Sequence, residues 1–205
     1  MGASMKLMMA GPSPFVRKVR VLLREADMAD QVEEIAVVAS PTGPSDDLIA
    51  ANPLGKIPAL VREFGPTLYD SRVICRFLDH RAGGGFYPEA RLWEVLTLEA
   101  TADGIMEAAV LMVYEARFRD EALRSQAWVD AQWAKVDRAL DALETRWISH
   151  LAGPVDMGQI AIGCALAYLD FRHAVRAWRE GRPQLAAWFE VFAARDSMQA
   201  TQPAG

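Results

Sequence analysis

Gly83-Gly84-Gly85-Phe86-Tyr87-Pro88 constrains the fold of this chain more than any other stretch. Three glycines and a proline within six residues interrupt helix and strand alike. The chain is therefore expected to fold as two units, 1–82 and 91–205, joined by a linker at 83–90. The two sides differ in kind. Residues 1–82 hold ten basic and ten acidic residues, whereas residues 83–205 hold twelve and seventeen and so carry the whole net charge of −5. All six tryptophans lie from Trp93 onward.

The first part alternates between strand and helix patterns. Met5 to Ala10 is a short apolar run and reads as a strand. Ser13-Pro14 opens a helix whose apolar positions Phe15, Val16, Val19, Leu22, Leu23 and Ala26 share one face. Arg17, Lys18, Arg20, Arg24 and Glu25 are expected on its wet side. Val32 to Val38 reads as a second strand and Ser45 to Ala51 as a short helix. Ile57 to Val61 is a strand with Pro58 at its start or edge. Phe64-Gly65-Pro66 is a turn into a short strand, Thr67-Leu68-Tyr69. Ser71 is then expected to cap a helix with Val73, Ile74, Phe77 and Leu78 inward.

The second part reads as helical throughout. Arg91 to Phe118 is one long pattern with a weak point at Gly104. Glu121 to His150 is another. Ile160 to Trp178 begins apolar nearly all round, which marks a buried central helix. Asp156 and Gln159 form a capping box before it. Gln184 to Ala194 is the last helix.

Several function classes are excluded by composition. A net charge of −5 argues against a nucleic-acid partner, because phosphate neutralisation needs a basic face. The longest apolar run, Ile160 to Leu169, is too short to span a bilayer. Met1-Gly2-Ala3-Ser4 lacks the basic, then apolar, pattern of a signal peptide. Two cysteines make no disulfide framework, and with His80, His150 and His173 they make no spaced metal site. Cys75 and Cys164 fall in helical patterns and read as small core residues. A reducing cytoplasm is the expected compartment.

Three short motifs carry chemistry. In Gly11-Pro12-Ser13-Pro14-Phe15, serine at an N-cap and proline at N1 start a helix. The same turn places the Ser13 hydroxyl beside free backbone N–H groups at the positive end of the helix, a setting that favours an anion or a thiolate. Ser13 has no evident base, so it reads as a donor to another molecule's sulfur rather than a nucleophile. In Asn52-Pro53-Leu54-Gly55-Lys56-Ile57-Pro58, an X-Pro bond can be cis at low cost. A cis Ile57-Pro58 bond would turn the Ile57 N–H and C=O toward a peptide-like ligand; an ordinary strand entry is the alternative. Lys56 is one of four lysines against eighteen arginines. In Tyr69-Asp70-Ser71, the Ser71 hydroxyl and N–H can hold a carboxylate at the helix start while Asp70 pairs with an ammonium.

The order and separation of these motifs resemble the glutathione S-transferase superfamily over nearly the whole chain. The resemblance implies a thioredoxin-like α/β domain followed by an all-α helical bundle domain. The Ser-Pro-Phe turn looks most like soluble bacterial members and is similar to the serine-type tau class. By that resemblance Ser13 is the catalytic hydroxyl that stabilises the glutathione thiolate. Ile57, before cis Pro58, pairs with the cysteinyl part, and Lys56 helps hold the glycyl side. Asp70 and Ser71 read the γ-glutamyl end, with Asp70 a shorter variant of the usual glutamate. Asp103 resembles an acidic residue that some members offer to a partner subunit, and a homodimer is implied. Ser13 and Val16 replace any Cys-x-x-Cys pair, so dithiol redox chemistry is not expected. Asp156/Gln159 departs from the family's Ser/Thr-x-x-Asp box.

The implied activity is a glutathione transferase with glutathione as co-substrate and no prosthetic group or metal. The thiolate would attack a hydrophobic electrophile in a second site against the long helix, around Ile105, Met106, Ala109, Val110 and Val113. Two other classes stay open: a non-catalytic glutathione carrier or stress-related interaction protein, and another glutathione enzyme such as a peroxidase, dehalogenase or isomerase.

Overall fold

The computed structural model of the chain describes residues 5–203; Met1–Ser4, which bear on the signal-peptide reading, lie outside them. The chain divides into two units, one of residues 1–88 and 196–205, the other of residues 89–195.

In the first unit, strands β1 (Met5–Met9) and β2 (Val32–Ala36) are parallel and connected through helix α1 (Pro14–Glu25). Strand β5 (Ala59–Arg62) pairs antiparallel with β1, giving the order β2-β1-β5. A bridge between Leu60 and Leu68 extends the sheet by one contact. Between β2 and β5 lie a two-residue hairpin, β3 (Ala39–Ser40) with β4 (Gly43–Pro44), and helix α2 (Asp46–Ala51). Helix α3 (Ser71–Arg81) follows and packs beside α1. Leu7, Val16, Val19, Leu22, Leu60, Ile74 and Leu78 form the sealed interior. The helix spacings put Val16, Val19, Leu22, Ile74 and Leu78 inward, but Val73, also expected inward on α3, is 47% exposed.

Two residues of α1 depart from the expected wet side. Arg17 and Lys18 are buried, Lys18 completely. For Arg17 the cause lies near the far end of the chain. Helix α8 (Asp196–Gln199) and the residues after it cover this flank of α1. Arg17 donates from Nη2 to the Met198 carbonyl at 2.9 Å and from Nε to Thr201 Oγ1 at 3.4 Å, and Ser197 donates its hydroxyl to Glu25. The last ten residues thus group with the first unit, not with the helical part in which the division at 91–205 placed them.

The second unit contains α4 (Leu92–Phe118), α5 (Gln126–Ala142), α6 (Met157–His173) and α7 (Pro183–Ala193). Helix α4 runs through Gly104 without interruption. Helix α6 is buried on nearly every side, as its composition requires. It packs so closely on α7 that a Cβ at Gly163 would stand 2.5 Å from the Phe192 ring. The stretch Glu121 to His150 is not one helix. Ser125 caps α5 by accepting the Trp128 N–H, and the Glu115 carboxylate accepts the Ser125 N–H at 2.9 Å, which forces the chain to restart there. At its other end α5 widens into a π turn, Leu143–Trp147. The Asp156 carboxylate accepts the Gln159 N–H at 3.0 Å, but the Gln159 side chain donates to the Pro154 carbonyl instead of closing the box.

Among the described residues, no helix is long and apolar enough to cross a membrane. No group of three or more His, Cys, Asp or Glu there is placed to hold a metal ion. Cys75 and Cys164 are buried thiols with no disulfide.

Candidate functional site

The sheet register brings the three motifs to one end of the first unit. β1 ends at Met9, four residues before Ser13. Because β5 is antiparallel to it, with Met8 opposite Ala59, the start of β5 lies at that same end, and Pro58 immediately precedes it. The Leu60–Leu68 bridge is also antiparallel, so the chain leaving Leu68 runs back to this end and delivers Asp70 and Ser71 there. Sequence separation of almost sixty residues is thus closed by three short strands.

Ser13 is the N-cap of α1, with Pro14 at the first helical position. Its Oγ accepts the Val16 N–H at 3.4 Å. That bond uses an oxygen lone pair and leaves the O–H proton free to donate. Capping and donation to a thiolate, which look like alternatives in the sequence, are therefore compatible in one hydroxyl.

The Ile57-Pro58 peptide is cis. The β1–β5 ladder stops at Ala59, and neither the N–H nor the C=O of Ile57 has a backbone partner among the described residues. Ile57 is half-buried and Pro58 buried. The preceding loop is held by Asn52, a residue that sequence reasoning passed over. Its Nδ2 donates to the Lys56 carbonyl at 2.8 Å and its Oδ1 accepts the Leu54 N–H at 3.0 Å. An Asx turn at Asn-Pro was the available signal. Gly55 sits at φ +62°, with Pro44 where a side chain would go, so glycine is needed there. The Lys56 side chain is exposed and makes no ion pair among the described residues.

The α3 cap differs by one residue from expectation. Asp70, not Ser71, is the N-cap: its Oδ1 accepts the Arg72 N–H at 3.1 Å, and its Oδ2 lies 3.0 Å from Arg72 Nη2. Both residues are good caps, and the chain uses the earlier one. Ser71 becomes the first helical residue and is buried, with no hydrogen bond on its hydroxyl among the described residues. Partial burial raises the Asp70 carboxyl, but the Arg72 guanidinium and N–H, with Lys18 beyond them, outweigh it and hold the group below its usual value. Lys18 thereby joins the electrostatics of this end of the unit, which its exposed-face reading hid.

In the helical unit, Ile105, Met106 and Ala109 are buried core. Val110 and Val113 are half-buried, as is Asp103. Of the residues considered for a second site, only Val110 and Val113 are open.

A thioredoxin-like β/α domain followed by an all-helical domain, with a Ser-Pro helix start and a cis-proline loop at one sheet end, defines a class of two-domain proteins. Two family models match the chain: glutathione S-transferase, N-terminal domain, over residues 12–81, and glutathione S-transferase, C-terminal domain, over residues 126–190. The chain is 34% identical to an uncharacterized GST-like protein, YibF, of Escherichia coli K12, over 97% of this chain and 98% of that one. Among solved structures it resembles a glutathione transferase family member from Pseudomonas fluorescens Pf-5 with bound glutathione, at TM-score 0.96 and 45% identity, covering 98% of this chain and 100% of that one. A second structure of a family member from the same organism, with bound S-(propanoic acid)-glutathione, matches at TM-score 0.91 and 44% identity over 98% and 100% of the two chains. The chain belongs to the glutathione S-transferase family.

Proposed function

We propose that the protein is a serine-type glutathione transferase that binds glutathione on its first unit and activates the thiol for attack on a carbon electrophile. The observation that carries this reading is the unpaired Ile57 backbone before cis Pro58, at the sheet end that also bears Ser13 and Ser71. The Ile57 N–H and C=O pair with the cysteinyl residue, as a strand would. This sets the sulfur against the Ser13 O–H. Ser71, at the start of α3, receives the γ-glutamyl carboxylate on its hydroxyl and N–H. Asp70 takes the ammonium, and Lys56 the glycyl carboxylate.

The Ser13 hydrogen bond to a thiolate is worth about 1.5–3 kcal/mol, which lowers the thiol pKa by about 1–2 units. The α1 dipole adds roughly 0.3–1 kcal/mol. The thiolate lone pair then forms the S–C bond. The leaving group departs with the bonding pair, or, for an activated alkene, the neighbouring carbon takes the pair and a proton from water. The relatives that hold glutathione and S-(propanoic acid)-glutathione support this reading, since the latter is a thioether at the same sulfur. A homodimer in a reducing cytoplasm completes it; sedimentation at micromolar concentration showing only monomer would exclude the dimer.

The test is calorimetric titration with glutathione and with cysteinylglycine. Saturable binding of the tripeptide that is lost with the dipeptide supports the γ-glutamyl assignment. No binding at millimolar glutathione would replace this reading with that of an interaction protein.

A further inference from the structure

Arg72 engages the Asp70 carboxylate twice. Its backbone N–H donates to Oδ1 at 3.1 Å, and its guanidinium Nη2 donates to Oδ2 at 3.0 Å. The two bonds differ in kind. The first is the cap of α3 and is fixed by the helix backbone. The second joins two side chains that are each 56% exposed. An exposed ion pair shifts an equilibrium by about fivefold at most. Oδ1 is thus committed to the helix, whereas Oδ2 can change partners at little cost.

Oδ2 is the oxygen left for an incoming ammonium, and Arg72 stands on it. The γ-glutamyl end of glutathione carries its ammonium and its carboxylate on one carbon. An ammonium seated on Oδ2 therefore brings that carboxylate beside the guanidinium whose Nη2 is at the same oxygen. A guanidinium fork can take a carboxylate in a two-pronged contact, which a lysine could not reproduce. Ser71, buried at the first position of α3, meets the same carboxylate with its hydroxyl and N–H in the reading above. All three residues lie in the first unit.

We propose that Arg72 is a specificity-determining residue that changes partners: it yields Asp70 Oδ2 to the γ-glutamyl ammonium and passes to the carboxylate on the same carbon. This rests on the glutathione reading and deepens its γ-glutamyl subsite. The consequence is that the two charged groups of the ligand are recognised together. A ligand with the ammonium alone must break the Asp70–Arg72 pair and brings no carboxylate for Arg72 to move to. A ligand with the carboxylate alone can draw Arg72 only by stripping Asp70 of its cation. The zwitterion satisfies all the charges at once, so the site selects it by more than the sum of its two contacts.

The test is calorimetry on the intact protein with three tripeptide-like ligands. They are glutathione, 4-aminobutyryl-cysteinylglycine, which lacks the carboxylate, and glutaryl-cysteinylglycine, which lacks the ammonium. In Arg72→Met, at an exposed position where folding is not at risk, glutathione is expected to weaken about tenfold. The 4-aminobutyryl ligand is expected to tighten about threefold, because Asp70 no longer has to be vacated. The glutaryl ligand weakens less than glutathione does. Its response separates partner exchange from simple loss of a positive charge, since it is the most negative of the three and a charge effect would weaken it most. A glutaryl ligand weakened as much as glutathione or more overturns the proposal. So does a 4-aminobutyryl ligand whose affinity falls or stays the same. Either result, with glutathione still bound by the unaltered protein, leaves the glutathione reading standing. Failure of the unaltered protein to bind any of the three removes that reading and the exchange with it.

Discussion

The side-chain amide of Asn52 donates to the carbonyl of Lys56 across 2.8 Å, and so spans the loop that ends at Ile57 and cis Pro58. Asn52 is 2% exposed, and the same side chain also accepts the Leu54 N–H. The position of the Ile57 backbone groups therefore depends on a residue that touches no ligand. Replacing it with alanine removes both of these part-buried hydrogen bonds. The expected cost is about 1–3 kcal/mol of stability, read as a lower denaturant midpoint at constant slope. Glutathione affinity is expected to fall more than tenfold. Unchanged affinity in a folded Asn52→Ala protein would show that the loop does not need this anchor.

Ser13→Ala removes the thiolate donor and the α1 cap together. The expected loss is about 1 kcal/mol of stability from the cap and at least about tenfold in kcat/KM from the lost hydrogen bond. The pKa of enzyme-bound glutathione, followed as thiolate absorbance against pH, is expected to rise by about 1–2 units. Ser13→Thr keeps the hydroxyl and should recover part of the rate. Full activity in the alanine variant would take Ser13 out of the mechanism.

Asp70 titrates below its usual value in the folded protein. A depressed carboxyl pKa means that the unfolded chain binds more protons in the window just below 3.8, so the stabilisation is complete above that value and is lost as the pH falls through the folded value. At pH 5–7 Asp70 is ionised throughout. Glutathione affinity should accordingly show no step from this residue across that range. A carboxylate-like transition in affinity near pH 5 that disappears in Asp70→Asn would contradict the assignment.

His173 behaves in the opposite chemical sense. Burial between α4 and α6 disfavours its cation; the bond to the Ala109 carbonyl opposes this, and Arg172 and Arg176 reinforce the loss, so its pKa lies below 6.5. The unfolded chain binds the proton first on acidification, so stability is full above the unfolded value and declines as the pH falls from about 6.5 toward the folded value. Denaturant titrations at pH 7.5 and pH 5 should show this loss, and His173→Gln should flatten it while keeping a donor toward Ala109. Equal pH dependence in both proteins would rule out His173 as the source.

The legible parts of this fold are those decided within a few residues. Ser13-Pro14 starts a helix because cap and first-turn chemistry are local, and the Ile57-Pro58 bond is cis where proline makes cis inexpensive. The all-round apolar run of α6 announces its burial for the same reason. The misread parts are decided at a distance. Arg17 looks like part of a wet face to any periodicity count, since its partners are Met198 and Thr201, more than 180 positions away. The break before Gln126 depends on Glu115 of the preceding helix accepting the Ser125 N–H. At Asp70-Ser71 two competent caps stand side by side, and composition does not rank them.

The return of the segment from Asp196 to Thr201 to α1 has a consequence for how the chain is made. Domains usually fold in the order in which they leave the ribosome. Here the half that bears Ser13 and the cis-proline loop is begun first and completed last, because α8 is translated only after the whole helical bundle. Until then Arg17 lacks the Met198 carbonyl and Thr201 hydroxyl that accept its hydrogen bonds. A nascent chain is thus a helical bundle tethered to a finished sheet whose helix α1 still lacks its cover, and the last few turns to be made complete the first unit to be started.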